Sequence, residues 1–219
     1  MIRVIIADDH HLVRQGIRAL LEKAGDMQVV GEAADGQEAI DLVRELQPDA
    51  LVLDIGMPRL NGIQAAERVR ALGVLTKIVV LSMYSDESVV RQALRCGVDG
   101  YLLKQSVTEE LHLAIRAAQR GETYLSPAVS RPVLEDFLHS PNGGSDPLSA
   151  VTPREREVWQ LIAEGNTNSE MAVKMNISEK TVEKHRTSLM NKLGAHDITA
   201  LVRMAIKHGV VYLDDWEAS

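Results

Sequence analysis

The sequence predicts an α/β amino-terminal domain on an open parallel sheet, followed by a small all-α domain. Three observations carry this reading. Five short β-type runs alternate with segments of helical apolar spacing through roughly the first 120 residues. The stretch "SPNGGSDP", residues 140–147, then concentrates Ser, Pro, Asn and Gly as a linker does. Beyond it, every periodic segment reads as helix. The expected division is 1–122, a linker with a short helix over 123–150, and 151–219.

Taken in order, the β runs are "RVIIA" (3–7), "QVVGEA" (28–33), "ALVLD" (50–54), "KIVVLS" (77–82) and "GYLLK" (100–104). Between them apolar residues recur at spacings of three and four. Examples are Leu12, Ile17, Leu20 and Leu21; Ala39, Ile40, Val43 and Leu46; and Leu111, Ala114, Ile115 and Ala118. Strands alternating with helices form a parallel sheet covered on both faces. Five such repeats suit the flavodoxin-like strand order 2-1-3-4-5. In the linker, "AVSRPVLEDFL" keeps enough apolar spacing for a short helix, which Pro132 restricts at its start.

The carboxyl-terminal segments carry their own boundaries. "TPREREVWQLIAEG" has Thr152 as N-cap, Pro153 first in the helix, Glu155 three after the cap and Gly165 past the end. "NSEMAVKM" is a short helix. "SEKTVEKHRTSLMNKLG" opens on Ser178 and closes at Gly194, and a last helix runs from Asp197 to Gly209. Trp159, Met171, Met175, Met190 and Met204 fall at apolar positions and read as core.

Composition narrows the class. Hydrophobic residues make up 45% of the 219 but aromatics only 3%, so the cores must be aliphatic. No apolar run approaches the ~20 residues that span a bilayer, and the start lacks a signal-peptide pattern. One cysteine, Cys96, excludes an internal disulfide and reads as a small buried residue. A cytoplasmic protein without membrane association is expected. Net charge is −7, which argues against indiscriminate nucleic-acid binding. Residues 1–122 hold 14 Lys/Arg and 18 Asp/Glu, whereas 174–207 hold 7 and 3, a net of +4. That reversal suggests an anion-binding surface near the carboxyl terminus.

Ligands of open parallel sheets bind outside the carboxyl ends of the strands. Here those ends carry Asp8 and Asp9, Asp54, Ser82 and Lys104. Any one of these acids could be a turn residue. Three acids at one edge repel, and their hard oxygen donors favour Mg²⁺. Lys104 adds a positive charge for a phosphoryl group, so the set composes an aspartyl-phosphate site. His10 and His11 read as solvated residues at a helix start. Met57 and Pro58 read as turn and packing residues.

With "ADDH", "DIGMPRLNG", "VVLSMY" and "GYLLK" in sequence, residues 1–122 resemble a response-regulator receiver domain. The resemblance implies that Asp54 is the phosphoacceptor and that Asp8, Asp9, Asp54 and the Gly56 carbonyl hold Mg²⁺ or Mn²⁺. It makes Ser82 and Lys104 the phosphate-contacting pair, and Ser82 with Tyr101 the switch. Gly56 departs from the side chain often found there, which bears on phosphate lifetime rather than metal binding. A haloacid-dehalogenase-type phosphohydrolase would need an acid at Gly56, so that alternative is disfavoured.

A short helix, a turn and a longer basic helix make a helix-turn-helix. On the longer helix Val182, Leu189 and Leu193 point inward, and Lys180, Glu183, Lys184 and Thr187 share the outward side. "TPREREV", "LIAEG", "ISEKTVEKHR" and "MNKLG" resemble a LuxR-type DNA-binding domain, and the chain as a whole resembles a NarL/FixJ-family response regulator. Val151, Trp159 and Met171 are small departures from that pattern. The resemblance assigns Lys180, Glu183, Lys184 and Thr187 to base contacts and Thr181, Arg186 and Lys192 to phosphates. His185, three after Val182, reads as packed and hydrogen-bonded.

The resemblance implies no enzyme beyond self-phosphorylation and dephosphorylation. Its implied partners are a sensor histidine kinase and a palindromic duplex DNA bound by a homodimer, with RNA polymerase a further candidate. The alternative is a phosphorylation-independent DNA-binding protein whose receiver only dimerises.

Overall fold

The computed structural model describes residues 1–130 and 150–211. The chain divides into two compact units, Met1–His139 and Ser140–Ser219. No helix among the described residues is long and apolar enough to cross a membrane.

The first unit runs β1 (Ile2–Ala7), α1 (His11–Lys23), β2 (Met27–Ala33), α2 (Gly36–Leu46), β3 (Ala50–Asp54) and α3 (Gly62–Ala71). It continues with β4 (Lys77–Ser82), α4 (Glu87–Arg95), β5 (Gly100–Leu103), a 3₁₀ turn (Lys104–Ser106), α5 (Val107–Gln119) and β6 (Tyr124–Leu125). All pairings are parallel, in the order β2-β1-β3-β4-β5-β6. The central strand β3 is buried at all five positions, which is why it reads as a continuous apolar run rather than an alternating one. Val4, Ile6, Val52, Val79 and Leu81 pack with Ile17 and Leu21 of α1 and Leu111, Ala114 and Ile115 of α5. Their neighbours Ile5, Leu51, Leu53, Ile78 and Val80 are equally buried, so both faces are covered.

The expected five-strand order is present, with a sixth strand at its edge. β6 has two residues, too few for any period to show in sequence. It is fixed by tertiary bonds instead: Ser126 N donates to Tyr101 O at 3.0 Å, and the buried Ser126 Oγ donates to Glu110 Oε2 of α5 at 2.6 Å. Residues 124–125 therefore belong to the sheet rather than to a linker. The helix expected in "AVSRPVLEDFL" is described only in part: residues 127–130 are helical, and the rest lies outside the described residues. The fifth strand stops one residue early, and Lys104 opens the 3₁₀ turn.

The second unit has α6 (Pro153–Ala163), α7 (Asn168–Met175), α8 (Glu179–Leu193) and α9 (Ile198–Lys207). Its helix starts are the expected ones. Thr152 and Thr167 each form a reciprocal capping box, with Glu155 and Glu170, while Ser178 and Asp197 cap α8 and α9. Trp159, Met171, Met175, Val182, Leu189 and Leu201 form the core, with Met190, Leu193 and Met204 packed against it. Trp159 is fully buried, and its indole N–H donates to Leu201 O at 2.8 Å. His185 is half-buried on α8.

Candidate functional sites: an acidic pocket and a helix-turn-helix face

Strand register brings the acidic pocket together. Ala7 pairs with Leu53, Asp54 with Leu81, and Ser82 with Leu103. Asp8, Asp54, Ser82 and Lys104 therefore meet at one end of the sheet. Lys104 Nζ lies 2.8 Å from both Asp8 Oδ2 and Asp54 Oδ2. Asp8 and Asp54 are buried, and Asp9 is half-buried at the rim. His10 is exposed, with Nδ1 2.7 Å from Asp9 Oδ1. Burial pushes the Asp54 carboxyl up to about 6, Lys104 opposes the rise, and Asp8 and Asp9 add to it. Burial also works against charge on Lys104, but Asp54 and Asp8 outweigh it and raise its pKa.

The loop after Asp54 is set by close packing. A Cβ on Gly62 would lie 2.0 Å from Asp54 O, and one on Gly36 would lie 2.4 Å from Leu60 O. Asn61 caps α3 by accepting from Gln64 N at 2.9 Å. Arg59 holds a left-handed backbone, φ 66°, and ion-pairs with the buried Asp35 that caps α2. Met57 is buried and Pro58 exposed, as turn and packing residues should be. On the other side, Arg14 Nη1 donates to Asp8 O at 2.7 Å while its Nε bonds Glu32 of β2 at 3.2 Å. Arg14, Gly36, Arg59 and Gly62 were not singled out from sequence. The Asn-Gly pair at 61–62 was the available signal, since that dipeptide marks a turn.

Ser82 Oγ accepts from Tyr84 N at 3.0 Å, and Tyr101 donates its hydroxyl to Tyr84 O at 2.8 Å. Tyr101 is fully buried, which raises its pKa against a smaller opposing contribution from Ser82. The β4–α4 segment thus touches both switch candidates. Cys96 is half-buried at the end of α4, with Sγ 3.5 Å from Glu67 Oε1, less enclosed than expected.

The donor set suits a hard divalent cation. Asp8, Asp9 and Asp54 carry three negative charges against one on Lys104. Asp8 Oδ2 and Asp9 Oδ1 are buried oxygens that accept no hydrogen bond of normal geometry, although Lys104 and His10 stand beside them. A cation would balance the residual charge and use those lone pairs. Asp8, Asp9 and His10 also present ligand atoms within 4.8 Å of one another.

In the second unit, α7 and α8 form the helix-turn-helix. Lys180, Glu183, Lys184 and Thr187 are all exposed. With Ser178, Thr181, Ser188 and Asn191 they line a concave surface of about 720 Å³. The Thr181 and Ser178 hydroxyls are 2.8 Å apart, and Arg186 Nη1 is 3.5 Å from Asn168 Oδ1. Lys192 is engaged: its Nζ lies 2.7 Å from Glu155 Oε2.

A phosphoacceptor-type acid pocket and a helix-turn-helix unit on one chain define a two-component regulator. The receiver-domain model of response regulators matches residues 4–116, and the model of the LuxR family of bacterial regulatory proteins matches 149–205. The oxygen regulatory protein NreC of Staphylococcus aureus (strain MRSA252) is 40% identical over 210 residues, covering 94% of this chain and 97% of that protein. Among solved structures, RcsB of Salmonella enterica serovar Typhimurium, bound to promoter rprA with the phosphomimetic BeF₃⁻, aligns at TM-score 0.61. It is 33% identical and covers 92% of this chain and 96% of that one. A LuxR-family response regulator from Aurantimonas sp. SI85-9A1 aligns at TM-score 0.61 and 34% identity, over 63% of this chain and 99% of that one. The chain belongs to the NarL/FixJ-type response regulators, a family of transcription regulators rather than metabolic enzymes.

Proposed function

We propose that Asp54 accepts a phosphoryl group from the phosphohistidine of a sensor kinase. The single observation that carries this is Lys104 bridging Asp8 and Asp54 at 2.8 Å each, at the strand ends where Ser82 also lies. An Asp54 carboxylate oxygen forms the new P–O bond as the P–N bond breaks, and the histidine nitrogen of the kinase recovers a proton from solvent. Lys104 pairs with the transferred phosphoryl oxygens, and the Ser82 hydroxyl donates to one of them. Asp8, Asp9, Asp54 and the Gly56 carbonyl would hold Mg²⁺ or Mn²⁺, whose charge stabilises the crowded oxygens during transfer. Phosphate on Asp54 draws Ser82 away from Tyr84 N, and Tyr84 links that movement to Tyr101.

The sheet domain, with β6 included, acts as the receiver, and 151–219 act as the DNA-binding domain. A homodimer would set two α8 helices about 34 Å apart on a palindromic duplex. Lys180, Glu183, Lys184 and Thr187 face base edges, and Thr181 and Arg186 face phosphates. Lys192 is set apart by its pairing with Glu155. RNA polymerase is a further partner, and the cytoplasm is the compartment where all these partners meet.

The reading is tested by incubating the full chain with acetyl phosphate and Mg²⁺ and mapping the product by mass spectrometry. Phosphate on Asp54, absent in Asp54→Asn, is the expected result. No phosphate on Asp54 overturns it and leaves a receiver that serves only to dimerise.

A further inference from the structure

Glu155 closes two structures at once. As the third residue of α6 it accepts from Thr152 N at 2.8 Å, completing the capping box. The same carboxylate reaches α8: Oε1 accepts from Ser188 Oγ at 2.6 Å, and Oε2 accepts from Lys192 Nζ at 2.7 Å. Ser188 and Lys192 are four residues apart and so share one side of the helix. The Glu155 side chain is only 5% exposed and that of Lys192 31%. Burial alone would raise the Glu155 pKa, yet the bonds from Lys192, Ser188 and Thr152 outweigh it and hold the carboxyl down at about 2. Glu155 is therefore ionised throughout the working range of pH.

This arrangement bears on how α8 meets DNA. Lys180 and Lys184 are exposed and can exchange small counterions for DNA. The ammonium of Lys192 already has a carboxylate in contact. Turning to a phosphate would strip Glu155 of its cation while it stays buried, which is costly.

Building on the DNA-binding reading above, we propose that Glu155 is a positioning residue that clamps the recognition helix through Ser188 and Lys192, and that Lys192 is withheld from the phosphate backbone. The clamp fixes the rotation of α8 about its axis, and hence which side chains enter a groove. The cationic face for phosphates then ends at Arg186.

The salt dependence of DNA binding separates this from a phosphate contact. The full chain and its variants are titrated by fluorescence anisotropy against a mixed-sequence B-form duplex, between about 50 and 200 mM salt. Arg186→Met should make the slope of log K against log [salt] shallower by about 0.9, one phosphate's worth. Lys192→Met should weaken binding by a factor that does not change with salt, leaving the slope intact. Glu155→Gln should release the ammonium and steepen the slope by about 0.9, an effect that a merely loosened fold does not produce. A shallower slope for Lys192→Met, matching Arg186→Met, overturns the proposal, as does an unchanged slope in folded Glu155→Gln. Near-ultraviolet dichroism of Trp159 reports folding; where Glu155→Gln fails to fold, the comparison of Lys192→Met with Arg186→Met decides alone. An unchanged slope for Arg186→Met removes the DNA face as drawn, while the Glu155→Gln result still judges the clamp.

Discussion

Replacing Asp54 by Asn should stabilise the metal-free protein, and should do so more as pH rises. Asp54 is 3% exposed and faces Asp8, and its pKa stands at about 6 against an ordinary 3.8. The native state therefore holds this proton more tightly than the unfolded chain does. Its favourable contribution is complete below pH ~4 and is lost as pH climbs through about 6, the reverse of a salt-bridged surface acid. The separation of about two pKa units is worth roughly 3 kcal/mol at pH 8. Asn cannot ionise, so Asp54→Asn escapes that loss while Lys104 keeps Asp8 at 2.8 Å. Scanning calorimetry of the full chain in EDTA, from pH 4.5 to 8, should show the receiver transition of the variant rising above that of the wild type. The difference should grow by about 10 °C across the range. Excess Mg²⁺ should shrink it by neutralising the same charge. A constant difference, or a variant less stable at pH 8 than at pH 5 relative to wild type, refutes the electrostatic account of the pocket.

Gly62→Ala should prevent phosphorylation of Asp54 and cost about 3 kcal/mol, because its methyl group would lie 2.0 Å from Asp54 O and against the Asp54–Ile55 backbone, which cannot give way as a flexible side chain can; denaturant unfolding and the acetyl phosphate assay check both effects. Trp159→Phe should destabilise the second unit by about 1–3 kcal/mol, since Leu201 O loses its 2.8 Å donor in a buried place; the melt of the carboxyl-terminal transition measures it. Lys184→Ala should weaken binding to a selected operator by about 1–3 kcal/mol, and an unchanged footprint removes it from the base-reading set.

How much could be read in advance depends on the range of the cause. Helix starts were legible because Thr152, Ser178 and Asp197 act within three residues of themselves. The pocket was legible because parallel strands deliver their carboxyl ends to one edge, whatever the packing detail. β6 was not, for its causes are Glu110 and Tyr101, more than a dozen residues away. Arg14 of α1 was missed because its partners, the Asp8 carbonyl and the Glu32 side chain on β2, are set by the packing of the helix on the sheet. Lys192 shows the limit most sharply. The family resemblance assigns it to a phosphate, and only the fold brings Glu155, 37 residues away, to its ammonium.

The two sites use one device to opposite ends. In each, a buried carboxylate meets a lysine at under 3 Å. At the sheet edge burial pushes the Asp54 pKa up to about 6, and Lys104, which must serve Asp8 and Asp54 together with Asp9 close by, does not offset it. Such a carboxylate is held short of neutralisation, and a cation or a phosphoryl group relieves it. In the second unit one carboxylate has Lys192, a hydroxyl and a backbone N–H to itself, and its pKa falls to about 2. That carboxylate is already satisfied and gains nothing from a ligand. The ratio of acids to donors, rather than the presence of an ion pair, separates the site proposed for phosphoryl transfer from the one proposed to hold a helix in place.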